Sequence, residues 1–176
     1  THRIQRMFAE ISERYDLLNR LLSGGTDVAW RRLTAREALR PDDRMILDLA
    51  CGTGDLALEL QKQAPQARVI GADFTGPMLR LAQRKERADK PISWIEADGL
   101  KLPFKSDTFD LITIAFGIRN MESLQGALRE IRRALKPNGR LAILEFSHPD
   151  NAIIRNLYMP YFQHVLPRIG AVLSQK

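Results

Sequence analysis

The run Ile46-Leu47-Asp48-Leu49-Ala50-Cys51-Gly52-Thr53-Gly54-Asp55 joins an apolar stretch to two glycines and an acid. It reads as a buried strand, a tight turn and a helix start. Gly52 and Gly54 let the backbone approach a ligand where a Cβ would collide, and the free amides of the helix end point at that ligand. Asp73 ends the next apolar run about 20 residues on, the position from which a carboxylate accepts hydrogen bonds from ribose hydroxyls. Asp98 and Gly99 close a third run, at the same rim of any sheet the three runs build. Turn, acid and acid together describe a nucleoside crevice, with Asp73 for ribose and Asp98 for adenine. A glycine turn alone also serves as punctuation between strand and helix. Asp73 could equally cap the helix that follows, but Thr75 offers an N-cap there and Pro77 an early helical position.

The elements that must position these residues follow from periodicity. Ile4, Phe8, Ile11, Tyr15, Leu18 and Leu22 form one apolar stripe of a first helix over 4–22, ended by Ser23-Gly24-Gly25. A second helix is expected over 27–39, with Asp27 placed to cap it. Strands are then expected over 45–50, 68–73, 92–97, 109–115 and 140–146, and helices over 53–63, 75–87 and 123–135. Strands alternating with helices of that length predict a parallel sheet with helical crossovers. Several strands are apolar almost throughout, as strands buried on both faces must be. Pro137-Asn138-Gly139 reads as a turn into the fifth strand, with Gly139 available for a positive φ. The tail over 151–176 carries Tyr158, Tyr161 and Phe162 between Pro160 and Pro167, and predicts broken helix or loop.

A chain of 176 residues fits one domain. We divide it into a helical cap over 1–40, a nucleoside-binding core over 41–150 and a C-terminal segment over 151–176. No stretch approaches the roughly 18 uninterrupted apolar residues of a membrane span. The start shows no charged-then-apolar leader, and Cys51 is the single cysteine, so a cytoplasmic protein without disulfides is expected. The net charge of +6 favours anionic partners such as RNA or acidic lipid. Its basic residues are scattered (Arg31-Arg32, Arg84-Lys85, Arg132-Arg133), which reads as solvated helix faces, and no nucleic-acid partner is expected.

Gly52, Gly54 and Ala57 also satisfy the dinucleotide pattern, so a dehydrogenase has to be weighed. Asp48 before the turn, Asp98 after the third strand and Leu102-Pro103-Phe104 suit a mononucleoside better. With Leu135-Lys136-Pro137-Asn138-Gly139-Arg140, these segments resemble the motifs of class I methyltransferases. Three further segments are Tyr15-Asp16-Leu17-Leu18-Asn19 with Ser23, Gly25 and Trp30-Arg31, then Phe116-Gly117-Ile118-Arg119-Asn120, then Leu144-Glu145-Phe146-Ser147 with Pro149. By these residues the chain resembles, within that superfamily, the menaquinone and ubiquinone biosynthesis C-methyltransferases. The resemblance covers nearly the whole chain.

The resemblance implies a Rossmann-like class I methyltransferase fold, a mostly parallel sheet with helices on both faces, apparently truncated after the fifth strand. Seven strands are expected in that superfamily, so the fifth is predicted to leave an exposed edge. It implies S-adenosylmethionine as cofactor, held by Asp48, Gly52, Thr53, Gly54, Asp73, Phe74, Asp98, Gly99 and Ala115, the turn taking the amino-acid part. Ala115 stands where members often carry Ser, and Asp27 where they often carry His. The implied substrate is a prenylated hydroquinone such as demethylmenaquinol, methylated on a ring carbon and contacted by Tyr15, Asn19, Phe116, Arg119 and Asn120.

In the implied reaction Arg119 stabilises the phenolate and Asn120 orients it, while a water or His148 takes the proton. The apolar residues of the first helix and of the tail could line a groove for the prenyl chain. The basic surface would then meet an anionic membrane peripherally, and a homodimer is possible. Two other readings remain at this level. One is methylation of RNA, protein or another small molecule, and the other is binding of S-adenosylmethionine without turnover.

Overall fold

Strands apolar on both faces demand cover on both faces, and that requirement sets the architecture. The computed structural model describes residues 25–86 and 91–145. The expected first helix with Tyr15 and Asn19, His148 and the tail aromatics lie outside them. The described elements are α1 (Thr26–Ala38), β1 (Met45–Leu49), α2 (Asp55–Gln63), β2 (Arg68–Asp73), α3 (Gly76–Lys85), β3 (Ser93–Glu96), β4 (Phe109–Ala115), a 3-10 turn (Ile118–Asn120), α4 (Leu124–Ala134) and β5 (Leu135–Leu144). The five strands form one parallel sheet in the order β3-β2-β1-β4-β5. The expected α/β fold is therefore the one observed.

Alternation along β1 explains how one strand serves two cores. Ile46 faces α1 and α2, packing with Ala35, Leu56, Leu60, Val69 and Leu111. Leu47 and Leu49 face the α4 side with Ile70, Ile112, Ile114 and Ile131. All of these side chains are buried. At about 25 cal/mol per Å² of apolar surface removed from water, this double layer is the main source of stability.

Polar clamps fix the strand starts. Asp110 Oδ2 accepts the amides of Arg44 (3.0 Å) and Met45 (2.9 Å), while its Oδ1 takes Lys136 Nζ at 2.6 Å. These bonds hold the Asp110 carboxyl below its ordinary range against a burial effect that pushes it up. Asp43 is buried, and Arg140 reaches both its carboxylate (2.6 Å) and the Ala38 carbonyl (2.7 Å), tying the end of α1 to β5.

Four local expectations are corrected. Asp27 does not hold the cap of α1, because Gly25 occupies that position at φ 79 and Asp27 lies inside the first turn. Thr75 is the N-cap residue of α3, but its side chain makes no capping bond. Gly139 has no positive φ; it lacks a side chain because a Cβ would lie 2.8 Å from the Phe109 carbonyl oxygen. β5 begins at Leu135, opposite Phe109, and then breaks register before Arg140 pairs with Leu111. The Pro137-Asn138-Gly139 segment thus sits inside an irregular strand instead of preceding it.

Candidate functional site

Parallel pairing brings the carboxyl ends of all five strands to one rim. The chain crosses from one side of β1 to the other there, since β2 and β4 flank it, and such a switch point opens a crevice between the departing loops. Ala50 after β1 (φ 54) and Phe116 after β4 (φ 57) both take left-handed backbone conformations without being glycine. That conformation costs about 1–2 kcal/mol for a non-glycine residue, and strain of this kind concentrates at functional sites. The two loops touch, since a Cβ on Gly117 would lie 2.6 Å from the Ala50 Cβ.

A cavity of about 340 Å³ fills the crevice. Its wall brings together Gly52, Asp73, Phe74, Asp98, Gly99, Ala115, Phe116 and Asn120, all named from sequence. Asp48, Thr53, Gly54 and Arg119 are not part of that wall. Glu96, Leu100, Met121 and Glu122 line it although sequence reasoning passed over them. Glu96 carried a signal, standing two positions before Asp98 at a strand end. Met121 and Glu122 carried none, because only the 3-10 turn brings them back over the rim.

The two glycines of the turn do different work. A Cβ on Gly52 (φ +54) would meet nothing within 4 Å, so its face is open to the cavity. A Cβ on Gly54 (φ +81) would collide with the Trp94 ring and lie 2.9 Å from the Ala82 Cβ. Gly71 is bare for the same reason, the Trp94 ring occupying the space. Trp94 is in turn held by Glu86, which accepts its Nε1–H at 3.0 Å. The indole is thus a plate beneath the turn. Thr53 is buried, and its hydroxyl accepts Lys85 Nζ at 2.9 Å, while the same ammonium reaches Asp55 at 2.7 Å.

Asp73 braces the turn directly. Its Oδ2 accepts the Gly52 amide and its Oδ1 the Thr75 amide, both at 2.8 Å. Burial pushes its carboxyl above the ordinary range, and the two amide bonds oppose that shift. A carboxylate has about four lone-pair sites, so two remain for ribose hydroxyls. Asp98 is exposed, and its Oδ1 accepts the Leu100 amide at 2.9 Å, which fixes the loop as a shelf.

Asp48 lies under the crevice, 1 % exposed. Its Oδ1 accepts the Thr113 hydroxyl at 2.8 Å, and its Oδ2 has no partner among the described residues. Burial raises its carboxyl from 3.8 to about 7, against the lowering effects of Thr113 and Arg31. Arg119 stands half exposed in the middle of the 3-10 turn and pairs with Glu145 after β5.

The fit to S-adenosylmethionine is good on chemical grounds. Among the described residues the wall holds four acids, Asp73, Glu96, Asp98 and Glu122, and no lysine or arginine. That suits ribose hydroxyls and a sulfonium cation, and suits the pyrophosphate of a dinucleotide badly. Phe74, Met78, Leu100 and Met121 supply the apolar surface a flat base requires.

Comparison with known proteins agrees. The family model described as "ubiE/COQ5 methyltransferase family" matches residues 1–176. The chain is 52% identical over 169 residues to a demethylmenaquinone methyltransferase of Thermus thermophilus, covering 96% of this chain and 77% of that one. It is 47% identical to a ubiquinone/menaquinone biosynthesis C-methyltransferase of Syntrophotalea carbinolica, over 96% of this chain and 71% of the relative. A solved S-adenosylmethionine-dependent methyltransferase from Mesorhizobium loti superposes with a TM-score of 0.54 at 28% identity, over 62% of this chain and 50% of the other. The chain thus spans about three-quarters of the length of these curated relatives and half of that solved chain. It belongs to the ubiE/COQ5 methyltransferase family and is an S-adenosylmethionine-dependent methyltransferase on a Rossmann-like fold.

Proposed function

We propose that the chain methylates a ring carbon of a prenylated hydroquinone, demethylmenaquinol or its benzoquinol counterpart. The observation that carries this is one continuous cavity that runs from Asp73 and Asp98 at the nucleoside end to Phe116 and Asn120 at the β4 end. The names of the relatives, demethylmenaquinone and ubiquinone/menaquinone methyltransferases, supply the acceptor class. Bound S-adenosylmethionine supplies an electrophilic sulfonium methyl. The protein's share is alignment and exclusion of water, worth several kcal/mol of barrier at about 1.4 kcal/mol per tenfold.

Asp73 and Asp98 hold the nucleoside, and the open face of Gly52 admits the amino-acid end. Asn120 donates its amide to the acceptor oxygen, which keeps the ring carbon turned to the methyl. A phenol has an ordinary pKa near 10. Arg119, one position before Asn120, lowers that value by its charge once it turns from Glu145 towards the acceptor. Tyr15, Asn19 and His148 complete the acceptor side in this reading, His148 or a water taking the proton.

Among the described residues no helix is long and apolar enough to cross a membrane. A prenylated acceptor lives in one, so the enzyme meets it peripherally, with its positive surface on anionic lipid. Incubation with S-adenosylmethionine and a panel of demethylated naphthoquinols and benzoquinols, followed by mass spectrometry, tests the reading. One methyl gained on the ring carbon is the expected product. Methylation of RNA with no quinol turned over would reject the assignment.

A further inference from the structure

One turn of α1 is built against the loop that leaves β4. The Trp30 ring centroid lies 6.4 Å from that of Phe116, with the planes tilted by 54°. The Arg31 guanidinium carbon stands 5.3 Å from the centre of the same Phe116 ring. Arg31 is itself fixed: its side chain is 11% exposed and is paired with Asp27, whose side chain is 4% exposed. Its charge also reaches Asp48, the acid under the crevice.

The Phe116 backbone is pinned at the same time. Its amide donates to the Leu144 carbonyl at 2.8 Å, and the following Gly117 rests on Ala50. A left-handed residue pinned on its chain side has to be held on its ring side as well, or it relaxes. Arg31 is not among the residues that line the cavity, whereas Phe116 is.

We propose that Arg31 is a positioning residue for methyl transfer: fixed by Asp27, it lays its guanidinium on Phe116 and so sets the cavity wall that faces the acceptor. The acceptor in this statement rests on the function proposed above. The face of the guanidinium is the essential feature. A lysine would keep the charge that Asp27 requires but would present a compact point cation without a plane to stack.

The test uses Arg31→Lys and Phe116→Leu in the full chain. In protein carrying fluorophenylalanine, the fluorine resonance lost in Phe116→Leu identifies Phe116. Arg31→Lys moves that resonance and leaves that of core residue Phe109 in place. With saturating S-adenosylmethionine, turnover of demethylmenaquinol by Arg31→Lys falls by roughly tenfold to a hundredfold, the penalty for a small misplacement at the reacting centre. The KM for the donor stays within about twofold, because Asp73 and Asp98 are untouched. Phe116→Leu gives the same loss, and adding Arg31→Lys to it costs nothing more, since both act through one ring. An unmoved fluorine resonance, or losses that add in the double variant, would overturn the proposal. Wild-type protein that methylates no quinol would refute the proposed function, while the fluorine result would still decide the role of Arg31.

Discussion

Replacing Asp48 with asparagine turns the burial of one acid into a measurable slope. The folded chain keeps the proton on Asp48 up to about pH 7, whereas the unfolded chain releases it near 3.8. Between those values the unfolded state binds fewer protons, so this group's contribution to stability is lost as pH rises through the interval. At about 1.4 kcal/mol per pH unit, the loss amounts to about 4 kcal/mol by pH 8. Asparagine cannot ionise and still offers an oxygen to the Thr113 hydroxyl. Its amide nitrogen takes the place of Oδ2, which has no partner among the described residues, and so adds a pH-independent cost of about 1–3 kcal/mol. Urea titrations at constant ionic strength from pH 4 to pH 8.5 then give the stability of variant minus wild type. We expect that difference to start negative at about pH 4 and climb by about 4 kcal/mol, crossing to a net gain between about pH 4.5 and about pH 6. A difference that stays flat within about 1 kcal/mol would mean that Asp48 does not titrate between those values, and the account of its burial would fail.

Three further outcomes follow from single contacts. Gly71→Ala drives a Cβ into the Trp94 ring and to 3.2 Å from Cys51 Sγ, so it should cost about 1–3 kcal/mol of overpacking and lower Tm by roughly 3–10 °C. Differential scanning fluorimetry reads this, and a Tm unchanged within about 1 °C, below the shift of the smallest overpacking cost, would contradict the plate beneath the turn. Asp98→Ala removes one exposed carboxylate from the wall and should weaken S-adenosylmethionine binding by roughly tenfold to a hundredfold in calorimetry, with little change in stability. Equal affinity would show that the base is held elsewhere. Cys51 has its thiol pushed well up by burial and then by Asp48 and Asp73, so it should react with maleimide at pH 8 far more slowly than free cysteine. A rate matching that of glutathione would contradict the raised position of this half-buried thiol.

The order of elements was legible because burial writes itself into composition. Leu47 and Ile46 face opposite cores, so β1 has to be apolar at consecutive positions, and no helix of that length carries such a pattern between turn signals. Strand ends were equally plain where an acid stops the run, and Asp73 and Asp98 both line the cavity. Side-chain direction was not legible. Phe116-Gly117-Ile118-Arg119-Asn120 is one segment in sequence, yet the 3-10 turn sends Asn120 to the cavity and Arg119 to Glu145. Nothing in five consecutive letters states the phase of that turn.

The glycines show why a motif understates its own causes. Read alone, Gly52 and Gly54 have one reason to be bare, the approach of a ligand. In the fold only Gly52 opens on the cavity, while Gly54 and Gly71 yield their space to Trp94, a residue on another strand. The turn is therefore shaped from below by an indole and from the side by Asp73, which takes the amides of Gly52 and Thr75. A ligand entering such a turn meets a backbone already braced, and little ordering entropy is left to oppose binding. The same logic applies across the crevice, where α1 supplies Trp30 and Arg31 to hold Phe116. Asp73 and Asp98, which line the cavity, could be read because they sit at strand ends. The residues that brace them come from other elements and reach the site only when the chain folds.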